Sequence, residues 1–184
     1  MLYFAVMTAK MAEGNSPIIE TTRLRMRQMT NDDFPRLLPV FGDVEVMRFY
    51  PAPFDQQRMQ EWLDWNQHNY TNFGYGLWCL LLRATGKVIG DCGLVNQYVD
   101  GVEEIEIGYH VRRDLWGRGL ATEAASACRD YGFDVLGRQR LISLIHPHNV
   151  ASRRVAEKVG MRLRCEALWK NKPTCIYAVE RVAA

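Results

Sequence analysis

The sequence lacks a long hydrophobic run, a run of basic residues and any closely spaced pair of cysteines. No stretch approaches the roughly 20 apolar residues of a membrane-spanning helix, so we expect no membrane partner. A net charge of +2 over 184 residues is too small to indicate direct nucleic-acid binding. The five cysteines are odd in number and scattered. This pattern argues against a disulfide framework or a metal site and favours reduced thiols in a cytoplasmic protein.

Two familiar phosphate-binding motifs are also missing. A P-loop needs Gly-Lys followed by Ser or Thr, which the chain does not contain. A dinucleotide fingerprint needs a third glycine at the position that Thr122 occupies, and the loop here is longer than that fingerprint allows. What is present is a pair of glycines, Gly117 and Gly119, between two segments of different periodicity.

Those two segments predict a strand followed by a helix. Residues 104–111 alternate apolar and polar side chains with period two, and residues 120–135 carry apolar side chains at helical spacing. Glycines just before a helix let backbone N–H groups face outward at the positive end of the helix dipole, which makes an anion site. The simpler alternative is that Gly117 and Gly119 only form a turn, and the residues alone leave both open.

Composition predicts one globular domain. With 48% hydrophobic and 24% charged residues, the chain can bury a sizeable core over 17–184, and we expect residues 1–16 to be a flexible arm. Strands are predicted near 23–29, 75–83, 88–95, 104–111, 141–145, 162–169 and 174–179. Helices are predicted over 30–41, 55–72, 120–135 and 149–159. The order β-α-α-β-β-β-α-β-α-β-β predicts a mixed α/β fold, with 141–145 as a buried parallel strand.

Three local expectations follow from the pattern. Pro39 and Gly42 should end the first helix, with a second short helical piece over 44–49. Arginines at every second position of 23–27 should form the solvated face of the first strand. Gly108, a glycine inside a strand pattern, indicates a bulge that opens a strand edge.

The glycine loop resembles that of a known enzyme family. Residues 116–121 (Trp-Gly-Arg-Gly-Leu-Ala) are similar to the acetyl-CoA pyrophosphate loop Q/R-x-x-G-x-G/A of the GNAT N-acetyltransferases, with Trp116 departing at the first position. The run 106–124 and the opening segment 21–27 resemble the ribosomal-protein (alanine and serine) N-terminal acetyltransferase branch. Residues 149–161 resemble the family's N-x-x-S-x-x-V-x-E-K-x-G-F/M signature, so the likeness covers about 18–180.

The resemblance implies a GNAT fold, a mostly antiparallel central sheet flanked by helices, with acetyl-CoA as co-substrate and no metal. It places the pantetheine arm on the strand edge and the pyrophosphate on the loop. The implied cofactor contacts are Tyr109, His110, Val111, Trp116, Gly117, Arg118, Gly119, Leu120, Ala121, Thr122 and Asn149. Arg112, Arg113 and Arg118 would either add charge at the phosphates or simply be solvated loop residues.

Glu106 is the candidate general base, because it matches the family's strand glutamate that deprotonates the amine, usually through water. It shares a strand face with Gly108 and His110. On pattern alone, the favoured interpretation of Glu104 and Glu106 is the solvated face of a half-exposed strand, and the resemblance shifts it toward Glu106 as base. His110 is the second candidate base.

The acid for the leaving thiolate differs from much of the superfamily. Many members carry tyrosine where this chain has Ala156, so that donor is missing. The resemblance implies Ser152, one helical turn earlier, in its place. A serine in a first helical turn also commonly bonds backbone N–H groups, which is the alternative role. Asn149 is expected to cap this helix, alone or while its amide contacts pantetheine.

No serine, cysteine or lysine shows a nucleophile–base arrangement, so direct attack in a ternary complex is expected. The preferred acceptor is a protein N-terminal α-amine. The alternatives are a small amine (polyamine, aminoglycoside or amino-acid derivative) or a non-catalytic CoA-binding sensor domain. A homodimer is left open.

Overall fold

The computed structural model describes residues 16–182. Its strands are β1 Ile19–Glu20, β2 Leu24–Arg27, β3 Leu77–Leu82, β4 Val88–Val99, β5 Val102–Val111, β6 Arg140–Ile145, β7 Arg162–Trp169 and β8 Lys172–Glu180. Its α-helices are α1 Phe34–Phe41, α2 Gln56–Phe73, α3 Leu120–Asp134 and α4 Val150–Lys158. The expected arm over 1–16 lies outside the described residues except for its last position.

All eight strands form one sheet in the order β1-β2-β3-β4-β5-β6-β8-β7. Every neighbouring pair is antiparallel except β5 and β6, which run parallel. The predicted mixed α/β fold, its element order and the parallel strand over 141–145 are confirmed, with the two-residue β1 as an addition. Within residues 16–182, no helix combines the length and apolarity needed to cross a membrane.

Helices cover both faces of the sheet. On one face, Phe41 of α1 and Trp62 of α2 pack against His110 of β5, with ring centroids 5.0 and 6.0 Å apart. On the other face, Cys128 of α3 meets Cys92 of β4 with 3.4 Å between their sulfur atoms. Because β5 alternates its side chains, His110 and its neighbour Tyr109 belong to opposite faces. Glu106 and His110 therefore share the face that α1 and α2 cover, and Tyr109 lies on the face that α3 covers.

The segment between α1 and α2 differs from its prediction. Pro39 lies inside α1, and Gly42 is its C-cap. Residues 44–49 form turns and not a helical piece. The carboxylate of Asp43 accepts the backbone N–H groups of Glu45 and Val46 at 2.8 and 3.2 Å. Such a local side-chain bond satisfies the backbone in a turn and competes with helix formation.

The arginines of β2 are not one solvated face. Arg27 is 5% exposed and makes paired hydrogen bonds to both carboxylate oxygens of Asp33, at 2.6 and 2.7 Å. Burial alone would raise the pKa of Asp33, but the bonds from Arg27 and Thr30 outweigh it and hold that pKa below its ordinary value. A buried guanidinium is tolerated only when it is paired in this way. The prediction of solvation was therefore wrong at Arg27.

Candidate active site

The loop between β5 and α3 presents unpaired backbone donors. Gly117 and Gly119 adopt φ values of +76° and +74°, a left-handed conformation that favours glycine. Gly119 caps α3 without any side-chain hydrogen bond. Across the described part of the chain, the N–H groups of residues 117–122 donate to no acceptor. With the helix dipole behind them, these donors form a site suited to a diphosphate.

A side-chain clamp from the segment just before β2 holds this loop, and no local sequence pattern indicated it. Arg23 bonds the Glu123 carboxylate through Nε at 2.5 Å, and its guanidinium donates to the Arg118 carbonyl at 2.9 Å. Thr21 donates its hydroxyl to the same carboxylate at 2.6 Å. These bonds tie the first turn of α3 and the loop carbonyl to the far side of the sheet. Arg23 is thus an anchor of the glycine loop.

The edge of β5 opens beside the loop because β6 diverges from it. The two strands pair at a single register point, Glu106 with Ile142. The Arg112 N–H donates to Ile89 of β4, so the backbone of His110, two residues earlier, also faces β4. The backbone groups of Tyr109 and Val111 face the gap instead. The backbone N–H and C=O of Tyr109 lie beyond the Glu106–Ile142 register point and have no partner on β6, which leaves a donor and an acceptor for a pantetheine arm.

The predicted bulge at Gly108 is not present. Register between β4 and β5 runs without a shift from Gly90↔Val111 to Val99↔Val102, and it pairs Gly108 with Gly93. A Cβ at Gly93 would lie 2.1 Å from the Gly76 carbonyl oxygen, and one at Gly108 would lie 3.1 Å from Leu77. Glycine is needed here for close packing. The gap comes from the departure of β6.

Trp116 occupies the motif position where the family has Gln or Arg. Its indole N–H donates to the carbonyl of Val111 at 2.7 Å. The Trp116 side chain therefore donates to the last carbonyl of β5 and holds the loop against the end of that strand. Arg112, by contrast, pairs with Asp114 at 3.0 Å. Arg112, unlike a free loop arginine, therefore already has a carboxylate partner.

Glu106 lies at the start of the gap with two hydrogen-bond donors on its carboxylate. Gln97 donates through Nε2 at 2.7 Å, and the backbone N–H of Leu144 donates at 3.2 Å. Burial raises the pKa of Glu106 above its ordinary value, while these two bonds and the nearby His110 and Lys170 lower it in part. A raised carboxyl pKa moves the group toward the range of an effective base near neutral pH.

Ser152 and Asn149 lie at the start of α4, next to Tyr109 of β5. Asn149 is the N-cap, and its Oδ1 accepts the Ser152 N–H at 3.2 Å. Tyr109 donates its hydroxyl to the Ser152 carbonyl at 2.9 Å, which fixes the first turn of α4 beside β5. The Ser152 hydroxyl itself has no hydrogen-bond partner within residues 16–182. Capping is done by Asn149, so the hydroxyl of Ser152 is not used as a cap.

His110, on the same face of β5 as Glu106, belongs to a chain of hydrogen-bonded polar side chains. Its Nδ1 lies 2.8 Å from Asp91 of β4, and its Nε2 lies 2.7 Å from the hydroxyl of Tyr50. Sequence reasoning named neither partner. The only signal for Asp91 was a carboxylate inside the apolar strand 88–95, and Tyr50 lies in a loop without periodicity. Next to Tyr50, Phe49 stacks on His146 at 5.0 Å and joins this loop to the end of β6.

Residues 23–162 match the family described as the acetyltransferase (GNAT) domain. This chain belongs to the GNAT family. The Bacillus subtilis (strain 168) protein YkkB is 40% identical over 158 residues, 85% of this chain and 92% of the relative. YoaA of the same strain, named as an uncharacterized N-acetyltransferase, is 30% identical over 149 residues, 79% of this chain and 83% of the relative.

Solved structures agree with the assignment. An acetyltransferase from Agrobacterium tumefaciens str. C58 is 28% identical, with a TM-score of 0.79 over 91% of this chain and 96% of its own. RimL, titled a ribosomal L7/L12 α-N-protein acetyltransferase in complex with coenzyme A, scores 0.71 at 15% identity over 90% and 98%. The aminoglycoside acetyltransferase AAC(6')-Ib, with coenzyme A, scores 0.71 at 16% over 86% and 95%. These last two likenesses show the fold alone.

This GNAT protein is therefore an acyltransferase, and acetyl-CoA is its co-substrate. The enzyme assignment replaces the alternative of a non-catalytic CoA-binding domain that Ala156 suggested. The residues of the gap and of the loop fit this co-substrate. The free N–H groups of residues 117–122 suit a diphosphate, and the open backbone edge at Tyr109 suits an amide-bearing arm.

Proposed function

We propose that this enzyme moves the acetyl group of acetyl-CoA to a protein N-terminal α-amine by direct attack in a ternary complex. The observation that carries the proposal is the arrangement of two groups about one gap. The Glu106 carboxylate, with its raised pKa, lies on the β5 side of the gap, and the unpartnered hydroxyl of Ser152 lies at the start of α4. One can take a proton and the other can give one.

In this scheme the residues of the loop bind and those of the gap react. The N–H groups from Gly117 to Thr122 hold the pyrophosphate, and the free backbone of Tyr109 pairs with the pantetheine amides. Asn149 uses its Oδ1 in the cap, which leaves its side-chain N–H₂ for the same arm. These contacts place the thioester where β5 and β6 separate, between Glu106 and Ser152.

The chemistry then needs one proton removed and one returned. Glu106 takes a proton from the ammonium group, through water, and frees the nitrogen lone pair. The nitrogen attacks the thioester carbonyl, and the carbon–sulfur bond breaks. The Ser152 hydroxyl donates its proton to the leaving sulfur and is restored by the surplus proton of the new amide nitrogen. No side chain forms a covalent intermediate.

The acceptor class follows from how hard the amine is to deprotonate. An α-amine has an ordinary pKa near 7.7–8.0, so roughly a tenth of it is neutral at pH 7, against less than about one part in a thousand for a lysine amine. A single carboxylate base suits the α-amine better. The resemblance of residues 106–124 to the ribosomal-protein branch supports the same acceptor.

The test measures release of free thiol from acetyl-CoA with matched acceptors. One peptide starts with a free serine and contains no lysine. Its partner has a blocked N-terminus and one internal lysine. Spermidine and an aminoglycoside complete the set. We expect turnover with the free α-amine and little with the blocked peptide. Turnover confined to spermidine or the aminoglycoside would replace the protein acceptor by a small amine.

A further inference from the structure

Four side chains form a continuous hydrogen-bonded chain that ends at the acceptor side of the gap. The indole N–H of Trp62 donates to Asp91 Oδ2 at 3.1 Å, and Asp91 Oδ1 lies 2.8 Å from His110 Nδ1. His110 Nε2 lies 2.7 Å from the hydroxyl oxygen of Tyr50. Asp91 is fully buried, and the His110 side chain is 9% exposed. The chain joins α2, β4, β5 and the α1–α2 loop.

The chemistry of these groups sets the direction of each bond. The Asp91 carboxylate can only accept a hydrogen bond, so the proton shared with His110 is carried by Nδ1 of His110. In the neutral imidazole Nε2 is then an acceptor, and the Tyr50 hydroxyl must donate to it. The proton of Tyr50 is thereby committed to His110. On the side away from His110, the Tyr50 hydroxyl therefore presents a lone pair, which can accept a hydrogen bond.

Tyr50 is a poor candidate for proton transfer. Although the Tyr50 residue is 41% exposed, the packing about its hydroxyl and the neighbouring charges of Glu106 and Asp91 raise the pKa of its phenol above the ordinary value. The hydroxyl therefore neither ionises to act as a base nor releases its proton readily to a thiolate. It is also close enough to Glu106 for the two groups to interact electrostatically. These properties leave one role for the Tyr50 hydroxyl: an oriented hydrogen-bond acceptor beside the base Glu106.

We propose that the Tyr50 hydroxyl accepts a hydrogen bond from the amino group of the acceptor and orients it for attack. His110 and Asp91 act through Tyr50 as positioning residues. Once Glu106 has taken a proton, the amine keeps two N–H bonds and one lone pair. Fixing one N–H on Tyr50 restricts the direction of the lone pair toward the thioester. This inference rests on the proposed amine acetylation.

The first test is Tyr50→Phe, which keeps the aromatic ring beside His110 and removes only the hydroxyl. The KM for whichever amine in the acceptor set is turned over should rise about tenfold, the equivalent of one hydrogen bond. The KM for acetyl-CoA and the affinity for CoA should not change. An unchanged KM for the amine would overturn the role of Tyr50.

The second test reverses the hydroxyl without removing it. In Asp91→Asn, Trp62 can only donate, so the new amide presents its oxygen to Trp62 and its N–H₂ to His110 Nδ1. His110 then carries its proton on Nε2 and donates to the Tyr50 oxygen, and the released O–H of Tyr50 faces the amine as a donor. We expect Asp91→Asn to raise the amine KM as Tyr50→Phe does. In the Tyr50→Phe background it should add little, because both changes act through one hydroxyl.

Full additivity of the two substitutions would mean that Asp91 is only structural. A measurement on the wild-type protein avoids any folding defect of the variants. Nitrogen-15 NMR of the histidine rings at alkaline pH, with His110 assigned from His110→Gln, should show the proton on Nδ1. A proton on Nε2 would overturn the inference. If no amine in the set is acetylated, the proposed function fails and this inference fails with it. A normal amine KM for Tyr50→Phe rejects this inference alone.

Discussion

The two sides of the active site are built in different ways. The proposed cofactor side is a contiguous loop that offers the free backbone N–H groups of residues 117–122. The proposed acceptor side is made of side chains from separated segments: Tyr50 of the α1–α2 loop, Asp91 of β4, and Glu106 and His110 of β5. The cofactor side can therefore be predicted from one short stretch of sequence, whereas the acceptor side is assembled only by folding.

This difference has a consequence for substitution. A backbone cradle tolerates many side chains as long as the left-handed glycine positions and the helix start are kept. An acceptor face made of paired side chains depends on each partner, because removing one leaves the next unsatisfied. We therefore expect acceptor-side changes to act on catalysis and on the amine, and cradle changes to act on CoA affinity.

The largest effect is expected from Glu106→Gln. If Glu106 is the base, kcat/KM at neutral pH should fall by roughly a hundredfold to ten-thousandfold, while CoA affinity stays nearly constant. Because the carboxylate must be ionised to act, wild-type activity should fall as pH drops through the raised pKa of Glu106. That acidic limb should be absent from the variant. The deficit should shrink at high pH, where neutral amine is supplied by solvent.

A pH–rate profile of both proteins at saturating acetyl-CoA checks this prediction. A deficit of the same size at every pH would mean that Glu106 positions the acceptor and does not deprotonate it. No deficit at all would leave Glu106 a structural carboxylate that accepts from Gln97 and from the Leu144 N–H. His110 would then be the next base to test.

Ser152→Ala should have the next largest effect. We expect transfer to slow by about tenfold to a hundredfold, because a thiolate leaves tolerably without an acid. The melting temperature should hardly change, since Asn149 and not the Ser152 hydroxyl caps α4. Asn149→Ala is the matched variant and should lower the melting temperature through loss of the cap. Intact activity with a lowered melting temperature in Ser152→Ala would assign the hydroxyl a structural role only.

Gly119→Val tests the cradle side. Gly119 has a φ of +74°, a conformation that costs a non-glycine residue about 1–2 kcal/mol. The valine side chain would also crowd the approach of a phosphate. CoA affinity by calorimetry should fall tenfold or more. Gly137→Val is the control, because Gly137 has a φ of +65° with no neighbour within 4 Å and lies beyond α3. Equal CoA affinity in the two variants would remove the phosphate-loop assignment.

The smallest effect is expected from Arg23→Met. The guanidinium holds the Arg118 carbonyl and Glu123, but its side chain is 48% exposed, so the loss should be modest. We expect CoA affinity to fall about threefold to fivefold through a looser loop. Arg25→Met is the control, since Arg25 pairs only with exposed Glu20 on the same sheet edge. A similar loss in both variants would point to general charge attraction and not to a clamp.

Predictions from the sequence succeeded where one segment carried its own pattern. The helices predicted over 120–135 and 149–159 and the Asn149 cap are all present, as α3 Leu120–Asp134 and as α4 Val150–Lys158 with its N-cap. They failed where a distant partner decided the outcome. Arg27 reads as a solvated strand residue until Asp33 is placed beside it, and Gly108 reads as a bulge until Gly93 and Leu77 show how tightly the strands pack.

The active site divides along the same line. Period-two and helical spacing, with glycines at the turn, determined the strand, the loop and the helix that offer free N–H groups, because those features depend on backbone conformation within a few residues. Only the tertiary structure decided that β6 leaves β5 after Glu106, that Arg23 anchors the loop, and that Asp91 orients His110 toward Tyr50. These contacts join residues between 19 and 95 positions apart in the chain, and their energies depend on burial and distance that no local pattern contains.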